Sequence, residues 1–212
     1  MANKLDFSLY VVTDSRLVGE KSLESVIQLA LKGGATMIQY REKNKEANEI
    51  YAKALVLKNM CNKFGVPLII NDRLDIAMAI DADGIHIGQK DLPIAEVRKL
   101  FGPHKIIGLT VENEAQVVLS NGQEVDYYIA APVFRTNTKL DDRGLLGIEG
   151  LKSMIKVSKK PVIAAGGISL KNAADVMDLG SAGIVVVNQI MSGEDPKLIS
   201  EKFIKILKPK GI

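Results

Sequence analysis

Two aspartates, Asp72 and Asp91, each follow a short apolar run, as Ile69-Ile70-Asn71-Asp72 and Ile85-His86-Ile87-Gly88-Gln89-Lys90-Asp91. A pair of carboxylates is a hard oxygen donor set. Mg2+ is commonly held by one or two of them, with substrate phosphate oxygens completing its shell. Either aspartate alone reads better as a helix N-cap; the pair, beside cations and amides, reads as a metal site. The cations and amides come from Gln39-Tyr40-Arg41-Glu42-Lys43 and from Asn71. Arginine offers a planar fork to phosphate and lysine a point charge. Gln39 and Asn71 sit within apolar runs, where a buried amide must find a partner, and a ring nitrogen of a ligand is one such partner. Thr136-Asn137-Thr138-Lys139 supplies two hydroxyls, an amide and a cation, a set suited to a phosphate. Gly166-Gly167 and Val187-Asn188 add backbone N–H groups that can approach an anion closely, with a short helix over 189–191 aimed at it.

The elements that carry these residues repeat one pattern. Strands are expected at 8–13, 36–40, 68–70, 84–87, 105–109, 126–130, 162–165 and 184–187, from short β-branched and apolar runs. Helices are expected between them at 22–31, 47–64, 74–80, 95–101, 114–119, 149–157 and 170–179, with a last one at 196–207. The longest loop, 133–146, follows the sixth strand. Runs such as Val185-Val186-Val187 mean burial on both faces, as in parallel strands covered by helices. Eight βα units without a linker predict one (β/α)8 TIM barrel domain over 1–212, an α/β fold, with an open doubly wound sheet as the alternative. In such a barrel the carboxyl ends of all strands open on one face, and the loops after strands seven and eight commonly hold phosphate. The 212 residues leave about 26 per unit, enough for a strand, a turn and a short helix.

Composition narrows the function classes. The net charge of +3, without a basic run or aromatic-rich basic strip, excludes a nucleic-acid reading. The single Cys61 cannot form an intramolecular disulfide, and its place on a helical pattern makes it a packed thiol. No apolar run approaches the length of a membrane span, and no basic segment with an apolar core opens the chain. The expectation is a cytoplasmic protein acting on small molecules, with a homo-oligomer left open. His86 lies mid-strand and reads as a hydrogen-bonded barrel histidine rather than a catalytic base. No CxxC, HExxH, GxSxG or P-loop pattern is present, which argues against zinc, serine-hydrolase and NTPase chemistry.

Six segments in order resemble the thiamine-phosphate synthase family. They are Leu9-Tyr10-Val11-Val12-Thr13-Asp14, Gln39-Tyr40-Arg41-Glu42-Lys43, Ile70-Asn71-Asp72-Arg73, His86-Ile87-Gly88-Gln89-Lys90-Asp91, Pro132-Val133-Phe134-Arg135-Thr136-Asn137-Thr138-Lys139 and Ala165-Gly166-Gly167-Ile168. The resemblance implies a TIM barrel that joins a hydroxymethylpyrimidine diphosphate to a hydroxyethylthiazole phosphate with Mg2+, giving thiamine phosphate and pyrophosphate. It implies Asp72 and Asp91 as metal ligands. It places Gln39, Arg41, Lys43, Asn71, Thr110 and Lys139 around the pyrimidine and its diphosphate, with Tyr40 and Glu42 in the same segment. It gives Thr136, Asn137, Thr138, Gly167, Val187 and Asn188 to the thiazole phosphate. Catalysis would rest on Gln39, Lys43, Asn71 and Lys139, through a dissociative substitution without a protein nucleophile. The family commonly has serine at the positions of Asn188 and Thr110, alanine at Gln189, glycine at Ala131 and proline at Arg135, so the departures gather on the thiazole side.

Three other readings compete. A thiazole tautomerase would carry a histidine near Pro132 and lack Gln39. A non-catalytic sensor of phosphorylated ligands would not need the aspartate pair. A phosphosugar isomerase would need a general base at the mouth, and none is evident.

Overall fold

The computed structural model describes residues 5–136 and 144–207. Eight parallel strands close on themselves in sequence order: β1 (Leu9–Val12), β2 (Met37–Tyr40), β3 (Leu68–Asn71), β4 (Gly84–Ile87), β5 (Ile106–Val111), β6 (Tyr127–Ala130), β7 (Val162–Ala164) and β8 (Gly183–Val186). β8 pairs with β1 through Leu9–Ile184, Tyr10–Val185 and Val11–Val186, which seals the barrel and decides against the open sheet. The helices α1 (Leu23–Lys32), α2 (Ala47–Phe64), α3 (Leu74–Ala79), α4 (Ile94–Phe101), α5 (Glu114–Ser120), α6 (Gly147–Val157), α7 (Ala173–Asp178), α8 (Asn188–Met191) and α9 (Pro196–Leu207) follow the strands in turn.

Local signals set the helix limits. Ser22 accepts the Ser25 N–H at 3.1 Å and starts α1, whose Leu23, Val26, Ile27 and Ala30 form the buried stripe. Glu46 and Glu49 exchange hydrogen bonds at the start of α2, and Gly65 ends it in the left-handed conformation at φ 66°, where a side chain would be strained. Ile50, Ala54, Leu57 and Cys61 form its buried face. Burial pushes the Cys61 thiol up to about 12, which fits the packed role expected for it. α7 begins three residues later than the apolar spacing suggests. The intervening turn is held by Asn172, whose Oδ1 accepts the Ser169 N–H at 2.7 Å.

Alternation along the strands divides the apolar residues into two cores. Leu9, Val11, Ile38, Leu68, Ile70, Ile85, Ile107, Leu109 and Tyr128 pack outward under the helices. Tyr10, Val12, Met37, Ile69, Tyr127, Ile129, Ile163 and Val185 fill the barrel itself. Strand glycines set its inner geometry. A Cβ on Gly84 would meet the Ile106 carbonyl oxygen at 2.5 Å, and one on Gly108 would lie 2.1 Å from Tyr127 Cζ. At the amino ends of the strands, carboxylates finish the ladders: Asp83 accepts the Leu68 N–H and Asp126 the Ile107 N–H, each at 2.8 Å. Lys58 and Arg98 balance these two charges. Among the described residues, no helix is long and apolar enough to cross a membrane.

Asp14 leaves β1 at the opposite end, is buried, and grips Arg16 through Oδ1–Nε at 2.9 Å and Oδ2–Nη2 at 2.6 Å. The Arg16 side chain, mainly by this hydrogen bonding, holds the Asp14 carboxyl below its usual range. A depressed carboxylate contributes stability above its ordinary pKa and loses it as pH falls through the folded value. Asp14→Asn should therefore lower the urea midpoint at pH 7, with the offset shrinking as pH falls through the folded value; an offset that does not change with pH would remove the ionic contribution. Space makes a second prediction. A Cβ on Gly183 would lie 1.8 Å from the Phe7 carbonyl oxygen, whereas one on Gly122 meets nothing within 4 Å. Gly183→Ala should cost about 1–3 kcal/mol or more in urea unfolding, and Gly122→Ala less than about 0.5 kcal/mol.

Candidate functional site

Parallel pairing in closed order delivers the strand ends to one face, and the polar residues collect there. β3 ends at Asn71, paired with His86 on β4. The ladder goes one step further, as the Asp72 N–H donates to the His86 carbonyl at 2.9 Å. Asp72 then turns the chain at φ 61°, a left-handed conformation uncommon outside glycine, though aspartate adopts it more readily than most residues. Such backbone recurs where a side chain must be aimed. Across β4, Asp91 Oδ2 accepts the Gly88 N–H at 2.6 Å and closes the loop that carries it.

Neither aspartate caps the helix that follows it. α3 is preceded by Arg73 and α4 by Pro93, both without a side-chain cap. The carboxylates instead lie close enough to each other for the charge of one to act on the other. Lys43 reaches over from the β2 exit and pairs with Asp72 at 2.9 Å. Burial works to raise the Asp72 pKa, but the Lys43 hydrogen bond and charge outweigh it and hold this carboxyl below its usual range. Asp91 is held above its usual range, by burial and by the charge of Asp72 beside it. The pair forms an oxygen-only donor set with one ammonium already on it. Among the described residues, no group of three or more His, Cys, Asp or Glu side chains is placed to hold a metal ion, so any ion here must take further ligands from elsewhere. That donor set fits Mg2+, which keeps places for water and phosphate.

The β2 exit divides its labour. Gln39 is buried inside the barrel and donates from Nε2 to the Tyr10 hydroxyl at 2.8 Å. Arg41 exchanges backbone hydrogen bonds with the Thr13 hydroxyl, while its buried Nε has no hydrogen-bond partner among the described residues. An orphaned guanidinium N–H is costly to bury and suits an anion. Glu42 spends its carboxylate within the loop, accepting from Ser15 Oγ at 2.6 Å and from the Lys43 N–H at 2.9 Å. Tyr40 points the other way, into the outer core under the helices, away from the mouth. Asn71 makes no side-chain hydrogen bond with a described residue.

Thr110 lies within β5, which runs two residues past its expected end. Its Oγ1 meets His86 Nε2 at 2.8 Å, and its carbonyl accepts Gln89 Nε2 at 2.7 Å. His86 is thus a hydrogen-bonded barrel residue, as its sequence position suggests.

On the opposite rim, Gly166 and Gly167 take φ 92° and 63°. Cβ atoms there would collide with Pro132 at 2.8 Å and with the Arg135 carbonyl at 2.6 Å. The loop after β6 is stitched onto this pair by Val133 N–H to the Ala165 carbonyl, 2.8 Å, and Phe134 N–H to the Gly166 carbonyl, 3.1 Å. This brings the half-buried Thr136 to the same rim. Val187 precedes α8, and the exposed Asn188 opens it, its Oδ1 accepting from Ser192 Oγ at 3.1 Å. Gln189 Oε1 accepts the Leu170 N–H at 3.2 Å and ties the two loops together. Asn137, Thr138 and Lys139 lie outside the described residues. Tyr10 and Tyr127 escaped the sequence reading because a strand tyrosine looks like ordinary core. The available signal was Gly108, the lone glycine inside β5, the mark of a close approach.

Comparison with known proteins bears on the same residues. The profile of the thiamine monophosphate synthase family matches residues 9–190. A thiamine-phosphate synthase from Persephonella marina is 42% identical over 204 residues, 96% of this chain and 97% of that protein. Another from Ruminiclostridium cellulolyticum is 40% identical over the full length of both. A solved structure of the thiamine phosphate pyrophosphorylase from Pyrococcus furiosus superposes with a TM-score of 0.88 at 36% identity, covering 96% of each chain. With the matched profile running from the first strand into α8, across every element that builds the mouth, the chain belongs to the thiamine monophosphate synthase family.

Proposed function

We propose that this transferase condenses hydroxymethylpyrimidine diphosphate with hydroxyethylthiazole phosphate, with Mg2+ held by Asp72 and Asp91. The observation that carries the reading is the meeting of these two carboxylates, which cap no helix. A bound divalent ion would neutralise charge on the departing pyrophosphate. Lys43 and Arg41 face the same group: one as an ammonium already drawn to the carboxylates, the other as a guanidinium with an unused buried N–H.

The reaction needs no protein nucleophile. The bond between the pyrimidine methylene carbon and the diphosphate oxygen breaks, and its electron pair leaves with pyrophosphate. The amino-substituted ring delocalises the positive charge left on carbon. The thiazole nitrogen then supplies the electron pair of the new C–N bond. Gln39 and Asn71 orient the ring, and Lys43, Arg41 and Lys139 stabilise the leaving group, by positioning and electrostatics rather than by covalent catalysis. Thr136, Asn137, Thr138, Gly167, Val187 and Asn188 hold the thiazole phosphate, and Asn188 donates where serine is common.

A coupled pyrophosphate assay tests this. Wild-type protein with both substrates and Mg2+ should release pyrophosphate, and a chelator should stop it. Asp72→Asn is the preferred variant, because asparagine tolerates the positive φ that alanine resists. It should lower kcat/KM by about 100-fold or more with a thermal midpoint within a few degrees of wild type. Full turnover in chelator would remove the metal; isomerised thiazole phosphate without pyrophosphate would make the protein a tautomerase.

A further inference from the structure

A line of hydrogen bonds crosses the barrel interior from Gln39 to Thr110. Gln39 Nε2 meets the Tyr10 hydroxyl at 2.8 Å, and that hydroxyl meets the Tyr127 hydroxyl at 2.8 Å. Tyr127 reaches His86 Nδ1 at 3.3 Å, and His86 Nε2 reaches Thr110 Oγ1 at 2.8 Å. All five side chains are buried, none more than 6% exposed. Gly108 makes the crossing possible, since its Cβ would lie 2.4 Å from the Tyr127 hydroxyl and 2.5 Å from His86 Nδ1.

Counting protons gives the line a direction. An amide nitrogen only donates, so the Tyr10 oxygen accepts from Gln39. The Tyr10 proton is buried and must go to Tyr127, or it is left unpaired at a cost. The Tyr127 proton then goes to His86 Nδ1, which must be bare. The imidazole is therefore neutral, with its proton on Nε2, donating to Thr110. The Thr110 proton has no place left in the line and is available to the mouth. At the other end, Gln39 keeps Oε1 and one N–H. An imidazolium, or an imidazole protonated on Nδ1, would strand the Tyr10 proton. Turning the Gln39 amide over reverses every step, so that the amide offers two donors and Thr110 loses its own. The two ends therefore cannot change independently.

We propose that Tyr10, Tyr127 and His86 are positioning residues that fix the hydrogen-bond polarity of the mouth, an acceptor-plus-donor amide at Gln39 and a hydroxyl donor at Thr110. This rests on the pyrimidine reading of the site and deepens it. An aminopyrimidine edge carries an amino donor beside a ring-nitrogen acceptor, the complement of an amide presenting Oε1 and one N–H. The polarity selects that edge over an oxo-pyrimidine, whose donor and acceptor are exchanged.

The test reads the imidazole directly. The chain has two histidines, and His104, exposed in a turn, serves as internal reference. Long-range 1H–15N spectra of 15N-histidine-labelled protein, without substrate, should show His86 with a bare Nδ1 and a protonated Nε2. Tyr127→Phe, which keeps the ring and removes the hydroxyl, should give a mixture of tautomers. The same variant should lower kcat/KM for the pyrimidine diphosphate roughly tenfold and leave KM for the thiazole phosphate within about twofold. A protonated Nδ1 in the wild type overturns the polarity whether or not any variant folds. An unchanged tautomer in Tyr127→Phe, or equal losses for both substrates, overturns the positioning role. If the spectra come out as stated but no pyrophosphate is released, the functional reading fails and the polarity stands.

Discussion

Two carboxylates in contact repel, and at this mouth everything else is arranged around that repulsion. Asp72 can stand beside Asp91 because Lys43 reaches across from another strand and because the backbone at Asp72 accepts a positive φ. The cost stays concentrated on Asp91, whose carboxyl is pushed upward while that of Asp72 is pulled down. A site of this kind is least comfortable when empty. Any cation that arrives relieves it, and a divalent ion relieves it most. In the proposed function that strain would favour a bound cation, supported by strands rigid enough not to let the two side chains drift apart.

That rigidity comes from closure. A barrel has no edge strand that can slip, and pairing β8 with β1 fixes the register of all eight exits at once. Asp72 is held to His86 by a ladder bond, and Asp91 to Gly88 by the loop it closes. Both aspartates thus refer to one strand, β4, and so do His86 and, through it, Thr110. The proposed metal side and the proposed pyrimidine side of the mouth share that reference.

The eight units, their order and the polar exits were legible in the sequence, because short apolar runs and helical stripes have distinct periods. Strand and helix limits agree with that reading to within about three residues. What escaped is what depends on closure. Gln39 and Tyr40 are neighbours with similar claims on paper, but period-two alternation sends one into the barrel and the other under the helices. Glu42 looks like a ligand beside Arg41 and Lys43, yet its oxygens are taken by Ser15 and backbone N–H groups. Thr110 looked like a residue after a strand and is a residue within one.

The barrel interior shows how small residues can specify polar chemistry. Parallel barrels are usually filled by branched apolar side chains, and here Ile69, Ile129, Ile163 and Val185 do that. Gly108 interrupts the filling on β5, and Tyr127 and His86 take the space. Tyr127 and its partner Tyr10 each bring a hydroxyl that must be bonded once buried, so the interior carries a polar line. That line can end only where the core ends, at Gln39 and Thr110. An apolar substitution at Gly108 would therefore act on the mouth through Tyr127 and His86.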